Sequence, residues 1–169
     1  MSRPTHRVKP LTADQKTEFV NTHIPGRIRL IEQALRHIAN SYYHFTVAAV
    51  HGRVLAQFLG LKLSKSGTLG QDRKYFPHDG NHSYEVKLPD VCKLPLLDPA
   101  SFSHKERRAL EIGFDTINRE VVHFTYWDTK PRHHALDTAT GDYYAKLVAR
   151  LRPFCEIVVR ETERCLQRA

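Results

Sequence analysis

The sequence predicts a mainly α-helical single domain, an antiparallel bundle of four or five helices with an irregular excursion at about 61–102 that can contain a small β-hairpin. Residues 41–60 are apolar on nearly every side, which is typical of a helix at the centre of a bundle. A helix start at Ser103 and helical apolar spacing through 140–167 predict two further core helices. A chain of 169 residues fits one such domain.

The helix predicted for 103–126 has the clearest start in the chain. Glu106 follows Ser103 by three residues, which is the spacing of a capping box. Apolar residues then recur at steps of four and three, which places them on one core-facing stripe. These residues are Leu110, Phe114, Ile117, Val121 and Phe124.

The opposite face of this helix carries Asp115, Arg119 and His123, each one turn after the last. Three apolar residues share that face: Ile112, Val122 and Tyr126. A face that meets only water would not carry such side chains, so the sequence predicts a second contact here, with a partner subunit or a ligand. The alternative is that the three polar residues are ordinary i,i+4 partners on a solvated face.

The N-terminal part of the chain predicts two helices. Residues 1–10 hold two prolines and no apolar period, and we expect a loose arm. A capping box at Thr12 opens a short helix that reaches about Ile24. Pro25 then separates it from a second helix, which ends near Asn40.

The central helix at 41–60 contains two glycines with different expected roles. Gly52 lies in its interior, where glycine costs about 1 kcal/mol relative to alanine, so we expect another helix to pass close to it. Gly60 is expected to end the helix. His44 and His51 are seven residues apart and share a face, either as hydrogen-bonded core or interface residues or as catalytic ones.

The excursion and the last helix are less regular. Within 61–102, the segments 73–76 and 84–88 have the composition of short strands and predict the hairpin. The last helix is expected to start near Thr140. Pro153 should kink this helix or begin a new segment, because proline lacks the amide donor.

The composition limits the partners and the compartment. A formal net charge of +8 favours a polyanionic partner such as nucleic acid without requiring one. No apolar run is long enough to span a membrane, and the polar start does not resemble a signal peptide. We therefore expect a cytoplasmic protein. Its three cysteines form no CxxC pair, which predicts reduced thiols.

No metal or cofactor is predicted. The loop at 76–85 holds four potential ligands, His78, Asp79, His82 and Glu85. Without a helix to fix their geometry, solvated loop polarity is the favoured interpretation. The chain has no GxSxG, no phosphate-binding glycine-rich loop and no HExxH.

Arg119 and His123 form the pair most suited to chemistry. A histidine with a near-neutral pKa can exchange a proton, and an arginine one turn away can hold a phosphate. Together they suit cleavage of a phosphodiester by the ribose 2′-hydroxyl.

The segments AAVHGRVLAQFL (48–59) and REVVHFTY (119–126) resemble the HEPN superfamily, in particular bacterial members with an AHxRxLxxFL helix before an H-[FL]-T-Y helix. The resemblance implies an all-α, homodimeric, metal-independent RNase with an Arg-polar-x-x-x-His motif at its dimer interface. It also implies RNA and a cognate antitoxin or neighbouring-gene protein as partners. The catalytic residues would be His123, Arg119 and Asn118. The binding residues would be Asp115, Tyr126, His51 and Arg53.

The chain departs from that motif at one point. Asn118 precedes Arg119, so the polar residue and the arginine are exchanged and the arginine stands four residues before His123 instead of five. The alternative is a dimeric interaction module without catalysis or nucleic-acid function.

Overall fold

The computed structural model describes residues 11–72, 86–121 and 141–169, and these residues are mainly α-helical, as predicted. The helices are α1 (Ala13–Glu18), α2 (Ile24–His37), α3 (Tyr42–Phe58), α4 (Leu88–Cys92), α5 (His104–Glu120) and α6 (Asp142–Leu166). Strands β1 (Leu61–Leu63) and β2 (Leu69–Gln71) form a small antiparallel hairpin. In the part of the chain described, no helix is long and apolar enough to cross a membrane.

Helices α3 and α6 lie at the centre of the bundle. Helix α3 packs against α2 and α6, and α6 also packs against α5. Their shared core contains fully buried large side chains from all four helices: Ile31, Phe45, Leu110, Ile117, Leu151 and Phe154. The three predicted core helices therefore form the core together with α2.

Two glycines let helices approach α6 closely. A Cβ added at Gly52 of α3 would lie 3.0 Å from Cys155 Sγ, which confirms the expected close helix. One added at Gly113 of α5 would lie only 2.3 Å from Phe154 Cβ. Such separations are below van der Waals contact, so only glycine permits this packing.

Both predicted capping boxes are present. Thr12 and Gln15 open α1, and Ser103 and Glu106 open α5, with both reciprocal hydrogen bonds in each case. Gly60 follows the C-cap of α3 with φ +82°, which confirms it as the end of that helix. Helix α5 is described to Glu120 with Val121 as its C-cap, and the rest of the predicted span falls in 122–140, outside the described residues.

The prediction that Pro25 separates two helices is wrong. A π-helical turn at Phe19–His23 connects α1 to α2 without a break. The amide of Ile24 bonds the carbonyl of Phe19, five residues back. This wider turn relieves the clash that a proline ring has with the carbonyl four residues before it, so the helix continues through Pro25.

The hairpin occurs earlier in the excursion than predicted. It pairs Leu61 with Gln71 and Leu63 with Leu69, and Gly67 turns the chain at φ +79°. Leu88, predicted as strand, begins α4 instead, because Pro89 and the carboxylate of Asp90 fit a helix start. The other predicted strand residues, at 73–85, lie outside the described residues.

Buried Lys87 fixes the excursion to α3. Its ammonium donates to the carbonyl of Gln57 at 3.1 Å and to Asp72 at 3.3 Å, and Lys62 donates to the other oxygen of the same carboxylate. Burial raises the pKa of Asp72, but the hydrogen bonds and charges of the two lysines outweigh it and lower that pKa overall.

Two expectations about α6 and the thiols are also resolved. Helix α6 is one continuous helix through Pro153, so no new segment begins there. Cys92, Cys155 and Cys165 are all buried free thiols, as predicted. Burial raises the pKa of each of them, which keeps them protonated and unreactive.

Candidate functional site on the outer face of helix α3

Helix α3 turns a row of apolar side chains away from the core. The row consists of Tyr43, Val47, Val50 and Val54, at steps of four, three and four residues, and we call it the α3 outer face. Tyr43 is 72% exposed and Val50 is 42% exposed. Because apolar side chains contribute little to folding when exposed, the fold does not account for this row.

Arg27 of α2 holds His51 at one edge of the α3 outer face. The two side chains are half-buried, and Arg27 Nη1 lies 3.0 Å from His51 Nδ1. A guanidinium can only donate, so Nδ1 must accept and the ring carries its proton on Nε2. Burial, and then the charge of Arg27, lowers the pKa of His51. The site therefore holds a neutral imidazole with an N–H donor on the far side of the ring.

Arg53 lies at the other edge and is held by α5. Its Nη1 donates to Asn118 Oδ1 at 2.7 Å. This contact joins a predicted binding residue, Arg53, to a predicted catalytic residue, Asn118, across two helices. The amide is neutral, so it orients the guanidinium without cancelling its charge.

Arg27 and Arg53 share a property that the other oriented arginines lack. Within residues 11–72, 86–121 and 141–169, neither forms an ion pair with a carboxylate. By contrast, Arg119 pairs with Asp115 and Arg160 pairs with Glu106. A half-buried guanidinium with a neutral partner keeps its full charge, and its other N–H groups suit an anion such as phosphate.

Comparison with models of known protein families, with curated proteins and with solved structures gives no match for this chain. The chemistry of the α3 outer face has to be inferred from its own side chains.

The predicted site on α5 is described only in part. Arg119 donates to Asp115 at 2.8 Å, as an i,i+4 ion pair in which the arginine side chain is 72% exposed. That geometry is what the solvated-face alternative predicts for these two residues. His123 and Tyr126 lie outside the described residues, so their roles stay predictions.

Ile112 was grouped with Val122 and Tyr126 on one predicted contact face. It lies half-buried in a shallow groove between α5 and α6. Val122 and Tyr126 fall outside the described residues. The predicted dimer face is thus represented by Ile112 alone, at a place where a groove is available.

The two histidines of α3 have different surroundings. His51 is hydrogen-bonded, as the structural interpretation of this pair expected. His44 contacts the rings of His37 and Tyr43, with centroids 5.1 and 5.4 Å away, and its buried Nδ1 has no hydrogen-bond partner in the described ranges.

Arg27 is the functional candidate that sequence reasoning missed. Its only sequence signal was a position among several basic residues of α2. The register of α2 against α3, which brings Arg27 to His51, depends on packing that periodicity does not specify.

No metal centre is formed by three His, Cys, Asp or Glu side chains in the described part of the chain. The four potential ligands predicted in the loop, His78, Asp79, His82 and Glu85, lie outside it.

Proposed function

We propose that the protein is a HEPN-like RNA-binding protein that contacts RNA phosphates with Arg27 and Arg53. The observation that carries this proposal is that both guanidinium groups are half-buried, oriented by neutral partners and without a carboxylate among the described residues. Phosphate contacts from arginine fix a nucleic acid in place and supply most of the affinity. The formal net charge of +8 supports the same partner.

His51 adds a donor beside Arg27. Because its Nδ1 accepts from Arg27, its Nε2–H is the remaining polar group of the ring. In this proposal the N–H donates to a phosphate or ribose oxygen next to the guanidinium. A neutral donor of this kind adds direction to the contact while the arginines supply charge.

The α3 outer face is proposed as the contact between two copies of the chain. A two-fold dimer buries the same apolar row from each copy. It would also bring Arg27 and Arg53 of both copies to the border of one interface, where their like charges repel. RNA bound along that border would offset the repulsion, so RNA should tighten the dimer.

Salt-dependent RNA binding tests the phosphate contacts. Fluorescence anisotropy with a labelled single-stranded RNA would be measured over a salt series for the wild type and for the Arg27→Ala/Arg53→Ala variant. We expect the variant to lose about tenfold or more in affinity and its salt slope to fall by about two, one for each lost contact.

A matched variant controls for net charge. Arg29→Ala/Arg168→Ala removes the same two charges at exposed positions away from the α3 outer face. It should retain most of the affinity. Equal losses in the two variants would show only general attraction and would contradict the assignment of Arg27 and Arg53.

RNA cleavage is the finer part of the proposal. The resemblance gives His123, Arg119 and Asn118 the catalytic roles, and general acid–base catalysis contributes about 10²–10⁴-fold. His123→Ala should therefore abolish the appearance of 2′,3′-cyclic phosphate ends in a mixed RNA pool without added metal. A wild type that cleaves nothing, or a His123→Ala variant that cleaves equally well, would contradict the RNase proposal and leave RNA binding standing.

A second candidate function is a non-catalytic dimeric interaction module. The exposed apolar row favours it, because Tyr43 and Val50 present a contact surface without needing RNA. Light scattering separates the two candidates when combined with the RNA assay. A dimer that Val50→Glu dissociates, in a protein that does not bind RNA, would support the module.

A further inference from the structure

Helices α5 and α6 form a second surface, a groove of about 410 Å³ on the side of Ile112. The helices run antiparallel, since Gly113 meets Phe154 and Glu106 meets Arg160 further along. The floor and walls of the groove are apolar: Ala109, Ile112, Ala149 and Pro153. Its rim is basic: His104, Lys105, Arg108 and Arg150.

The shape of this groove follows from small residues beside a close helix contact. Gly113 allows α5 and α6 to approach at Phe154, which draws the helices together under the groove. Ala109 and Ala149 then leave open space above that contact, one on each helix. Ile112 contributes the largest apolar side chain of the lining and is only half-buried. An apolar ridge from another molecule can therefore enter between the two helices.

Pro153 places an unused acceptor in the wall. In a regular helix the carbonyl of Ala149 would accept from the amide of residue 153, and proline has no amide hydrogen. A proline inside a helix costs about 3 kcal/mol, and nothing in the core packing requires it here. The carbonyl of Ala149 is thus available to a donor from an occupant of the groove.

The charge of the rim selects the occupant. No acidic residue lines the groove, and the nearest carboxylate, Glu111, pairs with Arg108 at 3.6 Å. A second copy of this chain would bring two basic rims together and repel. RNA would meet a floor of alanine, isoleucine and proline, which provides no aromatic surface for stacking its bases.

We propose that this groove binds an amphipathic helix of a partner protein, with an apolar stripe in the groove and Asp or Glu residues on both sides. Helix-in-groove recognition uses apolar anchors at i, i+3, i+4 and i+7. The flanking carboxylates would meet Lys105, Arg108 and Arg150. This binding site is separate from the α3 outer face and does not depend on RNA binding.

A display library of single helices with randomised exposed positions is the probe. It would be selected on the full-length wild type after depletion on the Ile112→Glu variant. We expect the enriched helices to carry an apolar stripe flanked by acidic residues. The purified peptides should lose at least about tenfold in affinity with Ile112→Glu and with Arg150→Glu, and should bind more weakly as salt rises.

Two further variants keep the test independent of folding defects. Ala149→Glu introduces a charge at an exposed position on the other wall, so it blocks the groove without disturbing the core. Val50→Glu places the same charge on the α3 outer face and should leave peptide affinity unchanged.

Three outcomes would overturn the proposal. The first is that no helix is enriched, or that enriched helices bind the groove variants as well as the wild type. The second is that Arg150→Glu weakens RNA binding while no peptide depends on Ala149 or Ile112, which would make the rim a nucleic-acid surface. The third is a wild-type dimer that Ala149→Glu dissociates, which would make the occupant a second copy.

Discussion

Helices α3 and α5 each have one face in the core, and their outward faces are built differently. The outward face of α5 pairs Arg119 with Asp115 through an exposed ion pair. The outward face of α3 exposes Tyr43 and Val50 and is bordered by Arg27 and Arg53, which have no carboxylate partner among the described residues. One face satisfies its own charges, whereas the other leaves both apolar area and positive charge for a second molecule.

The contrast shows which side chains are informative about function. A charged residue that finds its counterion one turn away needs nothing further. A guanidinium held in place by an imidazole or an amide is positioned but not neutralised. The second arrangement indicates an anionic partner more strongly than a regular spacing of polar residues in the sequence does.

The largest expected effect concerns the inner face of α5. Gly113→Ala would place a methyl group 2.3 Å from Phe154 Cβ, so α5 and α6 must move apart. We expect a loss of about 3 kcal/mol in the free energy of unfolding, at the upper end of overpacking effects. Urea denaturation followed by circular dichroism would measure it.

The other helical glycines provide graded controls. Gly52→Ala on the inner face of α3 meets Cys155 Sγ at 3.0 Å and should cost less. Gly26→Ala on α2 meets only Arg29, at 4.0 Å, and should stabilise the protein by about 0.5–1 kcal/mol through helix propensity. If all three substitutions had the same effect, close helix packing would not explain the two inner faces.

The second effect concerns the start of α5. Ser103→Ala removes the hydroxyl that accepts from the amide of Glu106, and an N-cap is worth about 1 kcal/mol. Hydrogen bonds from Ser103, and then Arg160, lower the pKa of Glu106 from 4.5 to about 2. Since the folded state lowers this pKa, the stabilisation is present above pH 4.5 and is lost as the pH falls towards 2. The difference between variant and wild type should shrink over that window.

Thr12→Ala gives the matched control. Its capping box at α1 uses Gln15, which does not titrate. Its cost should therefore be independent of pH in that window. A pH-independent difference for Ser103→Ala as well would contradict the role given to Glu106.

A smaller effect is expected at the edge of the α3 outer face. The folded state lowers the pKa of His51 below 6.5, so the unfolded chain binds the proton more readily. Stability should fall as the pH drops below 6.5, and it should fall less in His51→Gln, whose amide oxygen can accept from Arg27 without titrating. Nuclear magnetic resonance titration would measure the pKa directly. Arg27→Ala should raise it, and an unchanged value would contradict the contact.

The sequence predicted the helices well because their signals are local. Capping at Thr12 and Ser103 and the turn at Gly60 depend on residues a few positions apart, and all three are confirmed. The π-helical turn before Pro25 was missed, because it depends on how the chain packs as a whole.

The candidate site was harder to predict than the helices. Arg27 and His51 are 24 residues apart, and Arg53 and Asn118 are 65 apart. Helical periodicity assigns each residue to a face of its own helix, but it does not give the register between helices. His51, Arg53 and Asn118 were therefore identified from a resemblance, whereas Arg27 needed the structure.

The smallest expected effect is at the ion pair on α5. Exposed i,i+4 pairs contribute about 0.3–0.5 kcal/mol and are screened by salt, so Arg119→Ala should change the free energy of unfolding by no more than that. Its effect on RNA affinity should be small beside that of Arg27→Ala or Arg53→Ala, because Asp115 already neutralises the guanidinium. Anisotropy under the same salt conditions would compare the three variants. A loss with Arg119→Ala as large as with the other two would mean that RNA displaces Asp115, and the functional face would then extend from α3 onto α5.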